Sequence, residues 1–140
     1  MLLLLLSCLI LGAAAQPSCS AAVQLAGKNL AGRNPSGCSF DAAAVAGTNL
    51  QRAQLSGSSF GRTSINGANF AGTTFFNANL DDARISGANF AQAQMGDAQM
   101  RRATLNGVNF VFADLRTAKM QNMSAVGSNF AGAVLQVGVP

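Results

Sequence analysis

A large apolar residue recurs at every fifth position of this chain, and we call these positions centres. The series begins at Leu25 and keeps its register to Leu135, with only Pro35 and Ala125 departing from a large apolar side chain. A small residue stands two positions before most centres, and polar residues or glycine follow them. Neither a helix of 3.6 residues per turn nor a strand of period two keeps a period of five on one side. The pattern therefore predicts a chain that bends at a corner every five residues.

A second period of twenty residues lies on top of the first, so four pentapeptides are expected to complete one coil. Glycine recurs at one position of this longer period, and asparagine recurs two positions later. Glycine adopts the positive φ of a type II turn without steric cost, so its column predicts one corner built from stacked type II turns. Asparagine amides stacked about 4.8 Å apart can form a hydrogen-bonded ladder. The glycine column is Gly27, Gly47, Gly67, Gly87, Gly107 and Gly127, and the asparagine column is Asn29, Asn49, Asn69, Asn89, Asn109 and Asn129.

The repeated motif resembles that of the pentapeptide-repeat family, which is written A-(D/N)-L-x-x. Ala68-Asn69-Phe70, Ala78-Asn79-Leu80 and Ala113-Asp114-Leu115 match it directly, and the resemblance extends from about Val23 to Leu135. It implies an all-β fold, a right-handed quadrilateral β-helix of about five to six coils, with each centre and the small residue two before it pointing inward. It also implies a role as a binding surface, and some members of the family mimic DNA to inhibit a topoisomerase.

The first fifteen residues are typical of a signal peptide. An apolar run ends in Ala13-Ala14-Ala15, which fits a cleavage site before Gln16, and the run is shorter than the roughly 20 residues of a transmembrane helix. We expect a signal peptide over 1–15, an N-terminal cap segment over 16–24 and the β-helix over 25–140. The processed chain is then secreted and has no stable membrane span. An uncleaved hydrophobic anchor is the alternative, because no Lys or Arg precedes the run.

Composition disfavours catalysis and nucleic-acid binding. The chain has no histidine, the commonest general base and metal ligand, so we expect no catalytic residue, no metal site and no cofactor. Nine Lys and Arg residues are scattered without aromatic partners, which argues against a nucleic-acid interface. Cations also outnumber the five acids, so the acidic surface of a DNA mimic is not expected.

Two sites of covalent modification are predicted. Cys19 and Cys38 remain after signal cleavage and lie nearly one coil apart, which places their Cα atoms within disulfide range. Two free buried thiols are the alternative. Asn122 begins the sequon Asn122-Met123-Ser124 and is a candidate glycosylation site.

The leading hypothesis is a non-enzymatic structural or protein-interaction module whose protein partner is unknown. Phe76, Val111 and Phe112 fall at outward positions and are candidate contacts. A second hypothesis is adsorption to ice or to a polymer through a flat, uncharged face of repeated Asn and Ala; the alternative is that these residues only build the coil. The C-terminal segment is apolar and predicts a homodimer that forms through the last coil. The alternative is a monomer whose final strand frays.

Overall fold

A computed structural model describes residues 25–136, and its three-residue strands stack in parallel along one side of the molecule. The strands are β1 (Ala44–Ala46), β2 (Ser64–Asn66), β3 (Arg84–Ser86) and β4 (Thr104–Asn106), in the order β1-β2-β3-β4. Each residue of β1, β2 and β3 pairs with the one twenty positions later, as Ile65 does with Ile85. We call this side face A.

The other three sides are held by single parallel bridges with the same spacing of twenty. Face B is the asparagine column that begins at Asn29, face C runs from Gln54 to Val134, and face D runs from Ser39 to Lys119. The described residues contain no helix, and therefore none that could span a membrane. The predicted all-β, four-sided coil is confirmed.

The centres and the small residues two before them fill the interior. Nearly all of both sets are buried between residues 38 and 115. Phe70, Phe90, Phe110 and Phe130 form one stack inside face B, with neighbouring ring centroids 4.7, 5.3 and 4.9 Å apart. The inward orientation of the centres is therefore confirmed. The last coil is less covered: Phe130 is only half-buried and Leu135 is exposed.

Buried hydroxyl groups tie successive coils together at some of the small inward positions. Thr48, Ser58, Thr63 and Thr73 are fully enclosed, and each donates a hydrogen bond of 2.7 to 2.9 Å to the carbonyl oxygen of a centre twenty-three residues earlier. A buried hydroxyl without such an acceptor would be costly. These side chains therefore replace alanine without loss of packing.

The corners all contain a residue with positive φ, but they are not all closed by a hydrogen bond. At Gly27 the predicted turn is closed by a hydrogen bond of 3.0 Å from Lys28 N–H to Leu25 C=O. The equivalent bond is absent at Gly47, Gly67, Gly87 and Gly107, although their φ values of 59 to 61° are left-handed. These four corners therefore lack the closing hydrogen bond of the predicted type II turns. Each of these four glycines directly follows the last residue of a strand, which is paired with the neighbouring coil. The chain therefore remains extended up to the glycine, and the bend stays open.

Candidate functional site

A shallow groove of about 180 Å³ runs along face A across β2, β3 and β4. Its floor is the backbone at Ile65 and Ile85, whose side chains point into the core. Two rows of polar side chains form its walls. One row is Ser64, Arg84 and Thr104, and the other is Asn66, Ser86 and Asn106.

The groove follows from the three-residue strands of face A. Residues two apart in a strand point to the same side, so Ser64 and Asn66 both face outward and lie roughly 6.6 Å apart along the strand. The open bends at Gly67 and Gly87 allow this, because the chain stays extended for one residue past the centre before it turns. Face A therefore presents two outward rows on one flat sheet.

The polar side chains of the groove form no hydrogen bond or ion pair within the part of the chain that the structure describes. None of the six makes a side-chain hydrogen bond there, and Arg84 has no carboxylate within ion-pair distance. Five of the six are exposed and Thr104 is half-buried. Arg84 is the single charged residue in the lining, so the groove combines one free cation with hydroxyl and amide groups that both donate and accept.

The acid nearest to Arg84 in sequence is already engaged. Asp82 accepts hydrogen bonds from Arg102 Nε at 2.8 Å and from its Nη2 at 2.7 Å, one coil further on. The hydrogen bonds from Arg102 hold the pKa of Asp82 below its usual value, and the same contact raises the pKa of Arg102. Asp81 pairs with Arg101 at 3.0 Å in the same way. Within residues 25–136, no group of three potential metal ligands comes together.

The asparagine column of face B uses most of its hydrogen-bonding groups internally. Side-chain amides are bonded from Asn29 to Asn109, at nitrogen–oxygen distances of 3.1, 3.4, 3.4 and 3.0 Å between successive coils. The same Oδ1 atoms accept from the backbone two residues later, as Asn89 does from Ala91 N–H at 3.1 Å. Asn129 Oδ1 likewise accepts a hydrogen bond from Ala131 N–H. Face B therefore offers few free polar groups for adsorption.

The outward aromatic residues lie against glycines of the next coil. Phe76 is 42% exposed, and a Cβ placed on Gly96 would come within 2.8 Å of its ring. Phe112 is 65% exposed and covers Gly132 in the same way. Val111 is half-buried. Phe76 therefore has a packing role in addition to its exposed edge, and Phe112 is the more accessible ring.

The predicted modification sites lie partly outside the described residues. Cys38 is buried, whereas Cys19, the signal peptide and the cap segment are not within 25–136, so the disulfide and the cleavage site stay predictions. Asn122 and Ser124 of the sequon are both exposed, and Asn122 lies at a corner with φ of 58°.

Comparison with known proteins identifies a family. The sequence profile described as "Pentapeptide repeat region" matches residues 35–110. No curated protein matches the chain. Among solved structures, the pentapeptide repeat protein Rfr23 from the cyanobacterium Cyanothece 51142 is 16% identical, with a TM-score of 0.49, over 74% of this chain and 91% of its own.

Two other solved structures share the repeat. HetL, a pentapeptide repeat protein involved in heterocyst differentiation regulation from the cyanobacterium Nostoc sp. strain PCC 7120, is 23% identical with a TM-score of 0.43. The match covers 83% of this chain but only 54% of HetL. A pentapeptide repeat protein from the Arabidopsis thaliana thylakoid lumen is 28% identical with a TM-score of 0.29, over 79% of this chain and 63% of its own.

The family match covers more than half of the chain and agrees with the coil described above. The chain belongs to the pentapeptide repeat family.

Proposed function

We propose that the protein is a secreted, non-enzymatic module that binds a protein partner through the groove of face A. The observation that carries this proposal is the set of six polar side chains in the groove that form no hydrogen bond or ion pair within residues 25–136. Among the described residues, no buried side-chain nitrogen or oxygen lacks a hydrogen bond, so their unbonded polar groups lie on the surface.

Site-specific photo-cross-linking tests the assignment to face A. A benzoylphenylalanine placed at Ser86, in the groove, is compared with one at Gln94, an exposed outward residue of face C. Incubated with the secreted fraction of its source, the Ser86 protein should form a discrete cross-linked product that the Gln94 protein does not form. Equal products from both positions, or products from Gln94 alone, would remove face A from the proposal.

Secretion is tested on protein recovered from the culture medium. We expect the amino terminus at Gln16 or within a few residues of it, because the apolar run ends in small residues there. In a eukaryotic host, a glycosidase-sensitive mass at Asn122 is expected as well, since the sequon is exposed. Retention of Met1 on the medium protein would contradict the cleavage.

A second copy of the chain is the partner that we propose for the C-terminal coil. Val134 and Leu135 are 50% and 51% exposed, and Met120 and Phe130 beside them are only half-buried. In light scattering the mass should rise above one chain with concentration, and Leu135→Lys should abolish the rise. Phe76→Lys, which adds the same charge away from that coil, is the control. One-chain mass for the unmodified protein at every concentration would refute the dimer.

The ion pairs give no support to a DNA-like surface. Asp81, Asp82 and Asp114 are each neutralised by an arginine, at 3.0, 2.7 and 2.6 Å. With three of its five acids paired and a net charge of +4, the chain lacks the strip of free carboxylates that would imitate a phosphate backbone.

A further inference from the structure

We propose that the groove of face A binds an extended segment of about three residues that carries a carboxylate in its middle. The inference rests on the proposed function and adds the chemistry of the partner. Arg84 is the group that receives the carboxylate, and the hydroxyl and amide groups around it receive the peptide backbone.

The charge of the ligand follows from Arg84. This guanidinium is exposed, is the single charge in the lining, and has no ion pair among residues 25–136. Asp82, the acid nearest to it in sequence, is hydrogen-bonded on both oxygens to Arg102 and attracts Arg84 only beyond ion-pair distance. A free guanidinium in a concave polar surface is complementary to a carboxylate, which it can hold through two parallel hydrogen bonds.

The length and direction of the ligand follow from the stacking of the coils. The groove spans three strands, so its rows are about 10 Å long at about 4.8 Å per strand, which is the length of three extended residues at about 3.3 Å each. Arg84 lies on β3, the middle strand. The acidic residue of the segment is therefore expected in the central position.

The two walls suit a peptide backbone. Serine, threonine and asparagine side chains both donate and accept hydrogen bonds, as the alternating N–H and C=O groups of a peptide require. The strand backbone of the floor is already paired between coils, as Ile65 is with Ile85, so the segment does not add to the sheet as a further strand. Recognition then depends on side chains and on the single charge.

Nuclear magnetic resonance titration with two capped peptides tests the proposal. The probes are acetyl-Ser-Glu-Ser-amide and acetyl-Ser-Gln-Ser-amide, which differ only in charge. We expect the Glu peptide to shift backbone amide signals of β2, β3 and β4 and to bind about fivefold more tightly than the Gln peptide, as expected of an accessible ion pair. The difference should shrink as salt is raised.

Two variants with the same change of charge distinguish binding of the Glu peptide at the groove from non-specific attraction to the positively charged protein. Arg84→Gln should reduce the affinity for the Glu peptide to that for the Gln peptide. Arg52→Gln, at an exposed corner away from the groove, should leave both affinities unchanged. Circular dichroism of both variants checks that the coil is intact.

Four results would overturn the proposal: equal binding of the two peptides, no loss in Arg84→Gln, an equal loss in Arg52→Gln, or shifts confined to another face. Galacturonic acid that binds as tightly as the Glu peptide would also overturn it, since the peptide groups would then contribute nothing. If the peptide titration gives one of these results while the Ser86 cross-link persists, only the proposal of an acidic segment is refuted. Loss of the Ser86 cross-link removes face A as the binding surface.

Discussion

Replacing Phe90 by alanine should destabilise the coil far more than the same change at Phe112. Phe90 is fully buried, with its ring centroid 4.7 Å from that of Phe70, 5.5 Å from that of Phe75 and 5.3 Å from that of Phe110. Truncating a buried phenylalanine costs about 3–5 kcal/mol, and the loss of three ring contacts places this site at the upper end. The expected loss of about 5 kcal/mol is a large part of the 5–15 kcal/mol that stabilises an ordinary domain.

Phe112 is the matched control, because the side chain and the substitution are the same. Its side chain is 65% exposed, so Phe112→Ala removes only a minor part of the apolar burial and should cost about 1 kcal/mol or less. Urea denaturation followed by circular dichroism gives the free energy of unfolding of each variant. A difference between the two variants below about 1 kcal/mol would refute the inward and outward assignment.

Three further substitutions test single contacts. Thr73→Ala removes the 2.9 Å hydrogen bond to Leu50 C=O at a position where alanine fits, and should cost about 1 kcal/mol by urea denaturation; no loss would contradict a role for the buried hydroxyl. Gly96→Ala should cost about 1 kcal/mol because its Cβ meets the Phe76 ring, and the cost should disappear in a Phe76→Ala background. Asp82→Asn should lower stability at pH 7, and this loss should shrink as the pH falls. The depressed pKa of Asp82 contributes stability above the ordinary aspartate value of about 3.9, and this is lost as the pH falls through the folded value. A thermal-melting difference between the two proteins that stays the same as the pH falls would contradict the ion pair.

The coil itself could be predicted because the same residue types recur at fixed intervals in the sequence. A centre every five positions and a glycine every twenty fix the number of corners and the residues that stack, and the burial of Phe70, Phe90 and Phe110 agrees with that count. The amide ladder of the asparagine column could be predicted for the same reason, since the column places one amide above the next at strand spacing.

The open bends of face A could not be predicted in this way. The repeat assigns the same five positions to all four sides, so it does not distinguish the closed turn at Gly72 from the open bend at Gly67. The difference depends on whether the residue before the glycine pairs with the next coil. The groove was missed as a consequence, because a second outward row on one face exists only where the strand is three residues long.

Two packing features were missed although the sequence contains a signal for each. A phenylalanine followed by glycine twenty positions later, as at Phe76 and Gly96, indicates a ring lying along the coil axis. Serine or threonine at a small inward position, as at Thr73, indicates a hydroxyl that must bond to a neighbouring coil. Both signals need the twenty-residue register, because the partners are not neighbours in sequence.

Amide hydrogen exchange, measured residue by residue, tests most directly whether the five-residue sequence period is a structural period. In one pentapeptide, the N–H groups of Asn69, Phe70, Gly72 and Thr73 donate to backbone carbonyls at 2.7 to 3.1 Å, whereas that of Ala71 reaches only a side-chain oxygen. On faces B, C and D exchange should therefore be fastest at the residue after each centre, whereas on face A the residues at that position, Asn66, Ser86 and Asn106, pair within the sheet and should be protected. The maximum should recur at five-residue intervals along the other three sides of each coil. Protection that alternates every two residues, or that continues unbroken over ten or more, would contradict the coil.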